Sequence, residues 1–569
     1  MKILGISDSK LESGLAYVKD GKLDFALNEE RVTRVKIDGG FPTKSLKIFY
    51  KKYENELNSI DMIVFGGIFT PTPMSRFFDW IIKFDKNMNN SKFDFIYEYI
   101  IYLITYKFRL LSSVRNSKKK SKLMIWLLKK TLRAKLDKRI SNKPIFLVDH
   151  HECHIASAFF CSGFDKALVA SFDGFGDGSS AKIFIGEKNR LKEIKRIAAL
   201  KSFGLYYSLI TQALGFTPEK HEGKITGLAA YGNHKNVREE YPIKVKIRND
   251  KVKIENNSFG GYKELRRIKK SFLKYKKEDI AAWVQYNTEQ SVCKIVKHYM
   301  KKNNQSNLCL AGGLLANVKI NQKLHELDEV KEIYIYPAMS DSGISHGAIL
   351  TMNKQIDILN NIYFGPEYSS FEIEMELKKQ NIKYICYKNI EKEIAKKLSE
   401  GKIVARFNGR MEYGPRALGN RSILVQATDV SINDKLNKKL KRTEFMPFAP
   451  TILDKKASKC LRNLAGAKLT SKFMNISFEV TDYMKQNCPA SVHIDGTARP
   501  QIIFKRDNKS YYKILEEYFR ITGLPAILNT SFNVHEEPIV MTPKDALKGF
   551  KKANLDYLAI DNFMIKNDS

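Results

Sequence analysis

NLCLAGGLLANVKI (residues 307–320) and, shortly after it, EIYIYPAMSDSGISHGAIL (residues 332–350) share one grammar. Each opens with a short apolar run, breaks at Gly, Ser or Asp, and continues with helix-type spacing. A short apolar run bounded by turn residues reads as a buried strand, and strands alternating with helices indicate an α/β fold with its sites at the carboxyl ends of strands. The pattern extends outward. KPIFLVDH is strand-like and is followed by a helical stretch, HHECHIASAFF; KALVASFDGFGDGSS is a strand ending in a glycine-rich turn. Four further strands are expected at residues 2–6, 15–18, 23–27 and 62–66. Residues 353–370 lose periodicity and contain Gly365-Pro366, a turn signal. They place a linker at 356–370, between a domain spanning 1–355 and a second spanning 371–569. No internal sequence repeat is visible.

The 569 residues exceed what a single core organises, and 43% apolar with 28% charged residues is ordinary globular composition. Seven scattered cysteines without a C-x-x-C pair argue against a secreted disulfide framework and a cysteine zinc site. MKILGISDSK reads as a strand, not a leader, so a cytoplasmic protein is expected. The longest apolar stretch, residues 93–108, carries Asp94, Glu98 and Lys107 and is too short and too charged to span a bilayer. The net charge of +35 is concentrated: residues 76–140 hold 17 Lys/Arg against 5 Asp/Glu. This basic helical insertion fits either a solvated charged face or peripheral contact with an anionic membrane or polymer. No specific nucleic-acid partner is expected.

Four constellations carry chemistry. His150 and His154 are four apart, so on a helix they share a face and can grip one metal. Asp341, at a strand end, is a candidate third ligand, or alternatively a helix cap. In residues 171–178 (SFDGFGDG), Gly174, Gly176 and Gly178 allow backbone N–H groups to approach phosphate, and Asp173 or Asp177 could hold a cation; a tight β-hairpin reads equally well. Gly312-Gly313 turn a strand into a helix, as suits an adenosine or phosphate. Finally, RFNGRMEYGPRALGNRSIL (406–424) packs Arg406, Arg410, Arg416 and Arg421 among glycines, and Lys441 and Arg442 follow. Guanidinium forks hold phosphate or carboxylate bidentately, so an anion site is expected here.

In order along the chain, NEERVTR with GGFP, DHHECHIASAF, FDGFGDG, EGKITGLAAYG, CLAGGLLANVKIN, PAMSDSGISHGA, NGRMEYGPRALGNRSIL, PFAPTIL, DGTARPQ and LNTSFNV with EPIV resemble the NodU/tobramycin O-carbamoyltransferase family. The resemblance implies an actin/sugar-kinase-like, two-lobed N-terminal domain followed by a YrdC-like α/β C-terminal domain. It implies ATP with Mg2+ and carbamoyl phosphate as substrates of a carbamoyl-adenylate-forming second domain. A metal-assisted site in the first domain, of the Fe2+ type, would pass the carbamoyl group to a hydroxyl acceptor such as a sugar or glycoconjugate. His150, His154 and Asp341 would be the metal ligands, with Asp173 beside them. Arg410, Arg416, Arg421 and Arg442 would form the anion site, supported by Arg406, Lys441, Arg499, Ser531 and Asn533. Gly174, Gly176, Lys224, Gly312, Gly313 and Asn317 fall in the nucleotide motifs. The sequence departs from the family where two histidines are usual: Leu11 and Ile37 stand there, leaving Glu12 and Asp38 as the nearest substitutes. Glu536 replaces a usual glycine. These departures keep open a partner protein that has lost acceptor transfer; tRNA threonylcarbamoyl-type modification is the other alternative. A homodimer is compatible with all three.

Overall fold

The computed structural model describes residues 1–77, 118–257, 261–441 and 448–567. In the first lobe, β1 (Lys2–Ser7), β2 (Gly14–Lys19), β3 (Lys22–Asn28), β4 (Met62–Gly66) and β5 (Ile145–Val148) form a sheet of order β3-β2-β1-β4-β5. β1 pairs antiparallel with β2 and parallel with β4; β2 and β3 are antiparallel, β4 and β5 parallel. The second lobe repeats this plan with β6 (Lys166–Gly176), β7 (Ser179–Glu187) and β8 (Arg190–Ala198), and, beyond a hairpin of β9 (Ile243–Arg248) and β10 (Lys251–Asn256), β11 (Asn307–Ala311) and β12 (Glu332–Ile335). Its order, β8-β7-β6-β11-β12, carries the same alternation of antiparallel and parallel pairs. The topology is duplicated although the sequence shows no repeat. Two such lobes are the actin/sugar-kinase-like arrangement expected for this part of the chain.

Burial explains why the strands form. Residues 3–7 of β1 are buried without alternation, the signature of a sheet covered on both faces. Between the lobes lie the helices His150–Phe160 and Ile344–Asn353. They touch closely because Gly347 has no side chain: a Cβ there would come within 2.1 Å of the Cys153 carbonyl oxygen. Strand-end loops from both lobes therefore meet around one helix start.

The C-terminal domain is a mixed sheet of β13 (Ile385–Cys386), β14 (Val404–Phe407), β15 (Arg421–Gln426), β16 (Ala449–Leu453), β19 (Gln501–Ile503), β20 (Ala526–Ser531), β21 (Tyr557–Ile560) and β22 (Phe563–Lys566). The order is β13-β22-β21-β14-β15-β20-β16-β19, and β17 (Phe478–Glu479) with β18 (Thr497–Ala498) makes a small separate ribbon. Residues 354–369 are stitched to both sides. Asp357 N–H donates to the Phe160 carbonyl, Ala26 N–H to the Phe364 carbonyl and Gly365 N–H to the Met411 carbonyl. Most of the basic insertion, including the apolar stretch 93–108, lies outside the described residues. Among the described residues no helix is long and apolar enough to cross a membrane, and all seven cysteines are free.

Candidate active site

The helix His150–Phe160 starts on Asp149, whose side chain caps Glu152 N–H and is paired with the fully buried Lys182 ammonium at 2.8 Å. Asp177 fixes the same helix start from the β6–β7 turn. Its two carboxylate oxygens accept N–H bonds from Ile68 (2.8 Å), Phe69 (2.7 Å) and His150 (2.8 Å). Asp177 is thus spent on backbone, and the glycine-rich segment is a hairpin. Gly176 is required by proximity: a Cβ would stand 2.1 Å from the His150 ring.

With the helix so held, His150 and His154 point at Asp173 and Asp341. The four ligand atoms lie within 4.8 Å of one another, and the set is nearly solvent-free. His150 Nε2 is 2.7 Å from Asp173 Oδ2 and 3.5 Å from Asp341 Oδ1; His154 Nε2 is 3.6 and 3.8 Å from the same oxygens. Burial alone would push the His150 imidazole down, yet Asp341 and Asp173 together push it up to about 9. His154 Nε2 is buried and has no hydrogen-bond partner. A buried nitrogen left unpaired, facing two carboxylates and a second imidazole, fits a divalent cation. Asp173 Oδ1 is steadied by Gly174 N–H (2.7 Å) and Gly313 N–H (3.1 Å), and Asp341 Oδ2 accepts the Ser9 hydroxyl.

Glu12 lies next to this cluster. Its Oε2 accepts from the Ser340 hydroxyl and from Ser342 N–H (3.0 Å), the two neighbours of Asp341. Burial, with Glu30 and Asp341 adding like charge, pushes its carboxyl up to about 7. Asp38 is close by, its carbonyl accepting Ser13 N–H at 2.9 Å.

The arginine loop between β14 and β15 divides. Arg406 bonds the Gly419 carbonyl, Asn420 and Ser510. Arg421 lies 3.6 Å over the Phe407 ring and bonds the carbonyls of Asn408 (2.7 Å) and Gly409 (3.0 Å). Arg410 reaches the carbonyls of Asp24 and Phe364, tying the domains together. Arg416 differs. Burial lowers the guanidinium to about 10 in both Arg416 and Arg421, and both have an unpaired Nε, but Arg421's terminal nitrogens are held by carbonyls whereas the described residues offer Arg416 no carboxylate. Arg499, half-buried, is pushed well down by desolvation and by Arg416 beside it. The two meet because Gln501, opening β19, donates to the Leu418 carbonyl at 2.9 Å. Arg416 and Arg499 are thus two half-buried like charges with no carboxylate partner among the described residues.

The remaining expected residues are dispersed. Asn317 caps the helix Val318–His325 and bonds Gln285, Gly312 N–H donates to the Met339 carbonyl, and Lys224 is buried on the helix Glu222–Leu228. Ser531 donates to Asn533, which holds the Glu537 carbonyl at 2.7 Å. Lys441 is exposed with φ 56°, and Arg442 lies outside the described residues. Glu536 has φ 66° and is held by Lys220, with His221 at 3.1 Å.

Sequence reasoning missed Glu412, the organiser of the arginine loop. One buried oxygen accepts N–H bonds from Leu418 (2.8 Å), Asn420 (2.8 Å) and Arg421 (3.2 Å). An acid among four arginines was the available signal. It also missed Tyr413, whose hydroxyl lies 3.0 Å from Ser345 Oγ and donates to the Ser342 carbonyl, docking the arginine loop on the Asp341 loop.

Comparison with known proteins now decides the family. Residues 2–350 match the model described as "Carbamoyltransferase N-terminus" and residues 395–567 that described as "Carbamoyltransferase C-terminus". The chain belongs to the carbamoyltransferase family. Similar relatives include the uncharacterized protein MJ1058 of Methanocaldococcus jannaschii, 33% identical with 100% of this chain and 99% of the relative covered. Nodulation protein NolNO of Sinorhizobium fredii is 28% identical, covering 99% of this chain and 80% of its own. Among solved structures, full-length HypF in its phosphate- and nucleotide-bound form aligns at 14% identity and TM-score 0.34, over 62% of this chain and 46% of HypF. Family membership makes the protein a carbamoyl-transferring enzyme.

Proposed function

We propose that this carbamoyltransferase activates carbamoyl phosphate with ATP in its C-terminal domain and transfers the carbamoyl group to an acceptor hydroxyl at the His/Asp cluster, the acceptor being a sugar or glycoconjugate. The observation that carries the reading is contiguity. Tyr413 and Arg416 share one short loop, and Tyr413 is bonded to the residue after Asp341.

In the first half-reaction Arg416 and Arg499 bind the anionic substrate while water cleaves its P–O bond to release phosphate and carbamate; they then neutralise charge as the carbamate oxygen bonds to the α-phosphorus of ATP and pyrophosphate leaves. Glu412 and the carbonyl-bound Arg406 and Arg421 keep that loop in shape. In the second half-reaction the acceptor oxygen attacks the carbonyl carbon, AMP leaves, and Glu12 takes the hydroxyl proton. Its Oε2 is engaged by Ser340 and Ser342, and Oε1 is the oxygen available to a substrate. His150, His154, Asp173 and Asp341 would hold a divalent metal, Fe2+ in this reading. Such an ion supplies Lewis acidity toward a carbonyl or phosphoryl oxygen. The bonds from Gly174, Gly313 and Ser9 hold the two carboxylates in register for it.

The test is to supply ATP, Mg2+ and carbonyl-labelled carbamoyl phosphate to the metal-loaded protein and follow label into carbamoyl adenylate, then onto a panel of hydroxylated sugars. Label in both pools supports the reading. Label confined to the adenylate supports a partner protein without acceptor transfer, and label in neither removes the ATP-dependent mechanism.

A further inference from the structure

The helix Lys118–Ala134 has two apolar faces. Leu128 and Leu132 are buried against the first lobe. On the other side Leu123, Trp126 and Leu127 are 60, 57 and 36% exposed. They are three large apolar side chains within five residues, presented to solvent by a helix whose core contacts are already made. The sequence KKKSKLMIWLLKKTLRAK (118–135) carries eight Lys/Arg and no Asp/Glu. Lys122 and Lys130 are exposed beside the stripe, and the Lys130 ammonium lies 5.5 Å over the Trp126 ring.

Isolated exposed apolar residues are ordinary, but a Trp/Leu stripe flanked by exposed lysines on a helix with no acid of its own asks for a particular surface. A second copy of the helix would bring sixteen like charges together with no acid to offset them. A nucleic-acid duplex would answer the charge and leave the Leu-Trp-Leu stripe unpartnered. An anionic lipid bilayer answers both, with headgroup phosphates for the lysines and the acyl boundary for the indole and leucines. We propose that this helix is a peripheral membrane anchor, lying in the plane of an anionic leaflet with Leu123, Trp126 and Leu127 inserted. The anchor stands independently of the carbamoyl chemistry.

The experiment is cosedimentation of the full chain with vesicles of phosphatidylglycerol and phosphatidylcholine, and of phosphatidylcholine alone, at low and high salt. Wild type is expected to bind the anionic vesicles and to be weakened by salt. Leu123→Ser/Trp126→Ser/Leu127→Ser, and separately Lys122→Glu/Lys130→Glu, are expected to lower the partition roughly tenfold or more. Both should keep the wild-type melting temperature and carbamoyl-phosphate turnover, since neither touches the site. Three results would overturn the proposal: no binding by wild type, equal binding to neutral vesicles, or unchanged binding by both variants. A concentration-dependent dimer abolished by the triple substitution, without lipid binding, would assign the stripe to a second copy instead.

Discussion

The His/Asp cluster and the arginine loop look alike as motifs, each dense in side chains that bind ligands, but the structure uses them in opposite ways. In the cluster nearly every polar atom converges on one point, and the backbone bonds around it serve to aim Asp173, His150 and Asp341. In the loop three of four arginines bond backbone carbonyls, and Arg416 with Arg499 is the pair without a carboxylate partner among the described residues. A chemically rich sequence motif can therefore be a site, or the scaffold of one. The discriminator is whether its polar atoms already have protein partners.

The comparison is broken most severely by removing a ligand. His150→Ala or Asp341→Ala is expected to lower metal content and acceptor transfer by about 100-fold or more, read by metal analysis and product formation. Next, Arg416→Ala should reduce carbamoyl-dependent pyrophosphate release by roughly 100-fold, the cost of losing a donor aimed at developing charge. The arginines should then separate by stability. Arg421→Met leaves the Asn408 and Gly409 carbonyls unpaired and should cost about 3 kcal/mol in denaturant unfolding. Arg416→Met removes a half-buried charge that has no carboxylate partner among the described residues and should stabilise the ligand-free protein by about 1 kcal/mol. If both lower stability equally, the division of the loop is wrong. The smallest effect concerns pH. Glu12 must be ionised to accept a proton, so transfer should rise with pH along an acid limb at or below about 7, since a cation bound nearby lowers that carboxyl further. Glu12→Gln should flatten that limb in a pH–rate profile while leaving adenylation unchanged.

Much of this was legible in the sequence where local pattern is sufficient. The expected helix HHECHIASAFF is the helix His150–Phe160, and the strand expected at 62–66 is β4. His150 and His154 fall on one face because the helical period demands it. The duplicated lobe topology was not legible, since it lies in strand order and pairing while the residues of the two lobes show no repeat. Nor were the separate duties of Asp173 and Asp177 or of Arg416 and Arg421. Each pair is identical in type and only a few residues apart, and what separates them is where a hairpin turn and a loop carbonyl sit in space. Tyr413 joined the two sites unannounced because a buried tyrosine hydroxyl reads, in sequence, as core.

The most direct test of the two-site account is carbamoyl-phosphate-dependent pyrophosphate release measured side by side for wild type, Arg416→Ala and His150→Ala. The account predicts release by wild type, its loss in Arg416→Ala and its retention in His150→Ala. Equal loss in both variants, or no release from folded, metal-loaded wild type, would contradict it.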